Sequence, residues 1–377
     1  MEKVIQLDTT NKCNLKCIFC NKYLNQNCQP ETFFMSVKEA KKLLYENEDY
    51  LAITLQNNGE FFLNPEWEKI LELTFKRASE KKCKIILATN GTLVNREKAS
   101  VICELAELYK AEIYITVSIN VLSSELYQKI MGYNLCEQVI ENTEYLIEYS
   151  NKKTEFVNVS VQFMVMEKTA GKEAEAFINF WKDFFEKKHI EYDIVRDGYP
   201  SEKRFLVSLR RCYTGKREDF YTYENELKRL KNIFNIKEIK EKIETCDNVF
   251  KRKICSYLFE APVVRDNIKC ICCRDLNFEN SFNLDNPAAS EIEKYYKSIH
   301  YTGYFEKINV CNYCLNFPYV DEYKQYNKFC CDFAEKSYFN RLKKGVSFDF
   351  YNIDFSDNDE KKRAELFLKN NNYNALC

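Results

Sequence analysis

The chain has 377 residues, enough for a full enzyme core and one smaller domain. Its 56 Lys and Arg balance 57 Asp and Glu for a net charge of −1, so no basic stripe recruits nucleic acid and no like-charge block marks a disordered tail. No apolar run reaches membrane-spanning length, and Met1-Glu2-Lys3 leads straight into a strand rather than a signal peptide, so a soluble, cytoplasmic protein without membrane contact is expected.

Val4 to Leu7 reads as a first strand, ending at a cysteine loop. Ser36 caps a helix running to about Glu46, and Leu51 to Leu55 is a second strand. Asn64-Pro65 places a cap before a proline at the first helical position, opening a helix to about Ser79. Lys84 to Ala88 is a third strand, followed by a helix over residues 94–108. Glu112 to Ser118 is a fourth strand, with helical segments between Ser123 and Tyr149. Phe156 to Met166 is a fifth strand, residues 172–187 a helix, and Ile190 to Val195 a sixth strand. Six βα units with short connections predict an α/β fold with a parallel sheet, too few strands to close an eight-stranded barrel. The expected architecture is a partial (β/α)6 TIM-like barrel over residues 1–198, with its ligand site at the carboxyl ends of the strands. Residues 199–250 read as a Lys/Glu-rich, helix-prone bridge. Residues 251–335 form a small Cys-rich α+β domain, and 336–377 a polar C-terminal tail.

Eighteen cysteines without a secretion signal argue for metal ligation rather than disulfides. Cys83, Cys103 and Cys136 sit in periodic apolar segments and are expected to be ordinary buried residues. Only two histidines, His189 and His300, are present, which disfavours a His-based metal centre or triad. Cys13, Cys17 and Cys20 stand at CxxxCxxC spacing in the first loop. Three thiolates hold three irons of a [4Fe–4S] cluster and leave the fourth iron open. Zinc, the alternative, prefers closed four-ligand sets and paired CxxC hooks.

This arrangement resembles the radical S-adenosylmethionine (SAM) superfamily, in which the open iron binds the methionine end of SAM. The resemblance implies the same partial barrel. It also implies SAM contacts at Gly59-Glu60 after the second strand, the glutamate meeting the amino group. Phe61 stands where many relatives carry proline. Asn90, within Ala88-Thr89-Asn90-Gly91-Thr92, matches a further family segment, although Asn-Gly also serves as a plain turn. Ser118 falls near SAM, and Asn120 replaces the usual aspartate two residues on. Gln162 and Met164 on the fifth strand are expected to face the ribose and adenine, and Phe19 to pack on adenine. A buried Gln162 between Val161 and Phe163 needs a partner.

The second cysteine set resembles the SPASM/twitch subgroup: Cys255, then a hairpin turning at Asp266-Asn267, then Cys270, Cys272 and Cys273, and the CxxC hook Cys311/Cys314. It implies that Cys255, Cys272, Cys311 and Cys314 hold one auxiliary [4Fe–4S] cluster, with Cys270 and Cys273 as substitutes for Cys272 and structural zinc as the alternative. Residues 315–329 contain no cysteine and Cys330-Cys331 arrive late, which favours the single-cluster twitch form.

The resemblance implies reductive cleavage of SAM and hydrogen abstraction from a sugar, small metabolite or peptide, with the auxiliary cluster accepting an electron and a flavodoxin or ferredoxin supplying the first one. The expected class is a radical SAM oxidoreductase or maturase. Because the chain starts at the first barrel strand, a carbohydrate-type or other small substrate is slightly preferred over a peptide. Asp193, Arg196 and Asp197, near the end of the sixth strand, are candidate bases, and solvated loop charges are the alternative. The competing class is a zinc-stabilised binding protein on a degenerate barrel; RNA modification is disfavoured by the balanced charge.

Overall fold

The computed structural model describes residues 4–20, 32–46, 50, 52–55, 59–196, 201–212 and 217–237, and the short strands at 263–265, 268–270 and 281–283. The first five strands are β1 Val4–Leu7, β2 Ala52–Thr54, β3 Lys84–Thr89, β4 Ile113–Ser118 and β5 Val157–Val165, each parallel to the next. Between them run α1 Val37–Glu46, α2 Trp67–Lys81, α3 Arg96–Tyr109, α4 Ser124–Met131 and α5 Cys136–Lys153. After β5 come α6 Lys172–Lys187, β6 Tyr192–Arg196, β7 Phe205–Arg211, α7 Arg217–Lys231 and β8 Ile236–Lys237. This is the expected parallel α/β sheet, with two further parallel strands.

Local chemistry sets several boundaries. Before α1, Ser36 and Glu39 form a reciprocal capping box: the Ser36 N–H donates to Glu39 Oε2 at 2.6 Å and the Glu39 N–H to Ser36 Oγ at 3.3 Å. Asn95 caps α3 by accepting from the Lys98 N–H. The expected start of α2 at Asn64-Pro65 is two residues early, although Asn64 Oδ1 does accept from the Glu66 N–H at 2.8 Å. Asn64 Nδ2 donates to the carbonyls of Thr9 at 2.8 Å and Met35 at 2.9 Å, tying two loops together, and the helix begins at Trp67.

With β9 Val263–Arg265, β10 Ile268–Cys270 and β11 Ser281–Asn283, the strand order is β11-β10-β9-β1-β2-β3-β4-β5-β7-β6-β8. Residues 199–250, expected to form a helix-prone bridge, therefore begin with a sheet strand: β7 lies between β5 and β6. The reason is physical. Sequence neighbours pair only as a tendency. The seven-residue β7 buries Phe205, Val207 and Leu209 against the helices, whereas β6 has five residues and takes the outer place. At the other edge β9 Val263–Arg265 pairs parallel with β1, and β10 Ile268–Cys270 pairs antiparallel with β9. Arg265 stands opposite Ile268, and the expected turn at Asp266-Asn267 lies outside the described residues. β11 Ser281–Asn283 pairs antiparallel with β10.

Side chains alternate between two faces. Phe163 on β5 packs against Phe177 of α6 with ring centroids 5.0 Å apart, and Phe205 against Phe185 at 6.2 Å, so this face is the helix-covered core. The opposite, inner face carries Thr116 and Ser118 of β4, Ser160, Gln162 and Met164 of β5, and Ser208 and Arg210 of β7. Hydroxyls, an amide and a guanidinium on one sheet face make a surface for a polar ligand. Cys83, Cys103 and Cys136 are buried in the core as expected. Among the described residues no helix is long and apolar enough to cross a membrane.

Candidate cluster and SAM site

The loop after β1 carries Cys13, Cys17 and Cys20, all half-buried and free of disulfides. Its backbone is strapped to the end of α4: the Lys16 N–H donates to the Met131 carbonyl at 3.0 Å and the Ile18 N–H to the Ile130 carbonyl at 2.9 Å. Carbonyls that the helix leaves without partners thus hold the cysteine loop. Gly132 ends α4 at φ +88°, and a Cβ there would stand 2.9 Å from Lys16 Cβ.

The loop after β2 presses on the same cysteine loop. The Glu60 N–H donates to the Lys12 carbonyl at 2.8 Å. A Cβ on Gly59 would collide with backbone atoms of Thr10 and Lys12, so only glycine permits this approach. The Glu60 side chain is buried and turned onto the end of β3, accepting from Thr89 Oγ1 at 2.8 Å and from the Asn90 N–H at 2.8 Å. Burial pushes its carboxyl up to about 7, with those hydrogen bonds opposing the rise. Asn90 Nδ2 in turn lies 3.8 Å from Cys13 Sγ.

On the inner face Gln162 Nε2 donates to Ser118 Oγ at 3.2 Å, and Arg210 Nη1 donates to Gln162 Oε1 at 3.2 Å. These are the partners that the buried Gln162 needed. Met164 shares this face, and Phe19 packs half-buried against the core. Asn120 adopts φ 69°, a left-handed conformation that asparagine tolerates, and its N–H donates to the Gln162 carbonyl at 3.0 Å. Strand β7 supplies Ser208 and Arg210, which sequence reasoning missed. The period-two run Phe205-Leu206-Val207-Ser208-Leu209-Arg210 was the available signal.

Asp193 lies beside Leu206 on the inner face and accepts from Ser201 Oγ at 2.6 Å and Lys237 Nζ at 2.8 Å. Arg196 faces the other way and pairs with Glu224. Asp197, Cys255, Cys272, Cys273, Cys311, Cys314, Cys330 and Cys331 lie outside the described residues, as does the side chain of Cys270.

The donor set fits an iron–sulfur cluster. Burial pushes the Cys13 thiol up to about 11 and raises Cys17 as well, and the facing thiols raise one another further. Bare thiolates are costly there, whereas bound metal charge offsets the cost. Among the described residues no three Cys, His, Asp or Glu side chains converge on one point as a single ion requires. Thiolates that each hold a different iron do not need to.

The profile of the Radical SAM superfamily matches residues 7–180, just under half of the chain. The chain carries a radical SAM domain. That family uses a [4Fe–4S] cluster and SAM, and its match spans the cysteine loop, Gly59-Glu60, Asn90, Ser118 and Gln162. The chain is 31% identical over 130 residues to the antilisterial bacteriocin subtilosin biosynthesis protein AlbA of Bacillus subtilis (strain 168), covering 33% of this chain and 26% of that protein. It thus spans about a quarter of that relative's length. It is 24% identical over 247 residues to the GTP 3′,8-cyclase of Clostridium acetobutylicum, covering 63% of this chain and 71% of the cyclase. Among solved structures it shares the fold of Streptococcus suis SuiB bound to precursor peptide SuiA, with TM-score 0.52 and 14% identity over 84% of this chain and 70% of that one.

Proposed function

We propose that this protein is a radical SAM oxidase or maturase that acts on a polar substrate, with a peptide as the favoured class. The observation that carries the reading is the meeting of three loops at the carboxyl ends of β1, β2 and β3: three cysteines without disulfides on the first, Gly59 and Glu60 pressed against that loop, and Asn90 at the Cys13 sulfur. Cys13, Cys17 and Cys20 hold the cluster, and Gly59, Glu60, Asn90, Ser118, Gln162 and Phe19 frame the place of SAM. With cluster and SAM bound, the site would have the one-electron reductive chemistry needed to remove a hydrogen atom from a substrate.

The residues of the chain bind, orient and exclude water. Glu60 fixes the distance between the loops after β2 and β3 by accepting from both Thr89 and Asn90. Ser118, Gln162 and Arg210 form one hydrogen-bonded row on the inner face, suited to the hydroxyls and carboxylate of polar ligands. Asp193, between Ser201 and Lys237 at the far edge of that face, is the proposed acceptor of the proton that leaves with substrate oxidation. Cys255, Cys272, Cys311 and Cys314 would hold the proposed auxiliary [4Fe–4S] cluster, which would supply an acceptor for an electron from the substrate. A flavodoxin or ferredoxin in the cytoplasm is the proposed donor of the reducing electron.

The peptide class is supported by the likeness to AlbA, a bacteriocin biosynthesis protein, and by the fold shared with SuiB, which was solved with its precursor peptide. The inner-face hydroxyls serve a sugar equally well, so a sugar is the second class the assay must include.

The test is iron, sulfide and zinc content with 5′-deoxyadenosine formation from SAM, on anaerobically purified wild type and on the Cys13→Ala/Cys17→Ala/Cys20→Ala variant. About eight irons falling to about four, with loss of deoxyadenosine, is expected for two four-iron clusters. Zinc throughout, with no deoxyadenosine, would sink the enzyme reading and leave a zinc-stabilised binding protein.

A further inference from the structure

We infer that Asn90 tunes the iron–sulfur cluster: its carboxamide N–H, locked in place by a closed ring of side-chain hydrogen bonds, donates to the Cys13 sulfur and raises the cluster's reduction potential. The inference rests on the reading of Cys13, Cys17 and Cys20 as cluster ligands.

Asn90 Nδ2 donates to Asn14 Oδ1 at 2.9 Å, Asn14 Nδ2 donates to Thr92 Oγ1 at 2.7 Å, and Thr92 Oγ1 donates to Asn90 Oδ1 at 2.6 Å. The three side chains close a ring. Its direction is fixed by a fourth bond, because the Thr92 N–H also donates to Asn90 Oδ1 at 3.0 Å. An amide flip would set the Asn90 NH2 against the Thr92 N–H, which can only donate. The nitrogen must therefore face Asn14 and Cys13, with one hydrogen for each, and the second reaches the sulfur at 3.8 Å.

The backbone beneath the ring is equally constrained. The Asn90 N–H is taken by Glu60 Oε2 at 2.8 Å. The Thr92 carbonyl accepts from Gln138 Nε2 at 2.8 Å and Asn142 Nδ2 at 3.1 Å. Gly91 turns the chain at φ +76°, and a Cβ on it would stand 2.7 Å from the Val117 side chain. These bonds use both hydrogens and both lone-pair directions of the Asn90 amide. Its side chain is committed to the cysteine loop, and what it can offer SAM directly is its backbone carbonyl.

A thiolate sulfur carries more negative charge when the cluster is reduced, so an N–H aimed at it stabilises the reduced form more than the oxidised one. Asn14, the residue that follows Cys13, and Thr92, two residues past Asn90, then act as positioning residues for this single donor.

The test is an EPR-monitored redox titration of the signal that responds to SAM, on anaerobically reconstituted full-length protein, comparing wild type with Asn90→Asp and Thr92→Val. Asn90→Asp keeps the shape and replaces the donor by an acceptor. Its reduction equilibrium constant should fall about tenfold, a shift of about 59 mV for one electron, with iron content unchanged. Thr92→Val leaves the amide present but breaks the ring, and should shift the midpoint in the same direction by less. A full cluster with an unmoved midpoint in Asn90→Asp overturns the inference. If Asn90→Asp takes up no cluster, Thr92→Val decides, and a wild-type midpoint there assigns Asn90 a purely structural role. A wild type without any SAM-responsive cluster fails at the earlier step and overturns the ligand reading itself.

Discussion

Gly59→Ala is the sharpest test of how the loops are assembled. A methyl group at this position would lie 2.8 Å from the Lys12 carbonyl oxygen and closer still to that of Thr10. Carbon–oxygen approaches of about 3.3 Å are already close. Both obstacles are backbone, so neither can swing aside, and the loop after β2 must retreat from the cysteine loop. That retreat stretches the bond from the Glu60 N–H to the Lys12 carbonyl, now 2.8 Å. Overpacking of this kind costs about 1–3 kcal/mol, and the lost hydrogen bond about 1 kcal/mol more. The variant should show a lower urea midpoint with an unchanged slope, incomplete iron loading, and little 5′-deoxyadenosine. Wild-type midpoint, iron content and SAM cleavage in Gly59→Ala would refute the argument that glycine is required by close approach.

Two further outcomes are expected. Glu60 holds its proton to about pH 7 in the folded apoprotein, against an ordinary value of 4.5, so the folded state binds more protons between those limits. Stability should therefore decline as pH rises from about 4.5 to about 7 and level off above, by on the order of 3 kcal/mol. Glu60→Gln should flatten that decline in apoprotein melts, and a slope unchanged by the substitution would show that another group causes it. Arg204 donates to the carbonyls of Ser150 at 3.2 Å, Thr154 at 2.7 Å and Val157 at 3.0 Å, joining the end of α5 to the start of β5. Arg204→Ala leaves these acceptors without that donor and should cost about 2–3 kcal/mol in urea unfolding, with iron content kept. A loss under about 0.5 kcal/mol, typical of an ordinary surface change, would count against the clamp.

The cysteine spacing, the strand–helix alternation through β5 and the Ser36 cap were legible in the chain because each is a local pattern, complete within one turn or one element. The CxxxCxxC run needs no distant residue to be recognised. Cys83, Cys103 and Cys136 were separable from the cysteines of the first loop for the same reason, since apolar periodicity around them already specifies burial. Gly59 and Asn90 were also marked by their motifs. Their physical roles were hidden, because the partners of Gly59 are carbonyls some 47 residues back in the chain and the sulfur that Asn90 meets is 77 residues away.

Tertiary structure decided what depended on competition between distant segments. The sixth strand could be read from residues 190–195, yet its place beside β5 went to β7, whose seven residues and three buried apolar side chains make the better interior strand. That exchange brings Arg210 to Gln162 and sends Asp193 to the outer part of the inner face, an outcome that no local pattern encodes. Asn64 carries the signature of a helix cap and its Oδ1 accepts from the Glu66 N–H, but only the folded chain brings its Nδ2 to the carbonyls of Thr9 and Met35. Local sequence determined which chemical groups this protein has and on which elements they sit. Packing determined which of them meet, because side-chain hydrogen bonds and sheet neighbours are chosen only when the whole core closes.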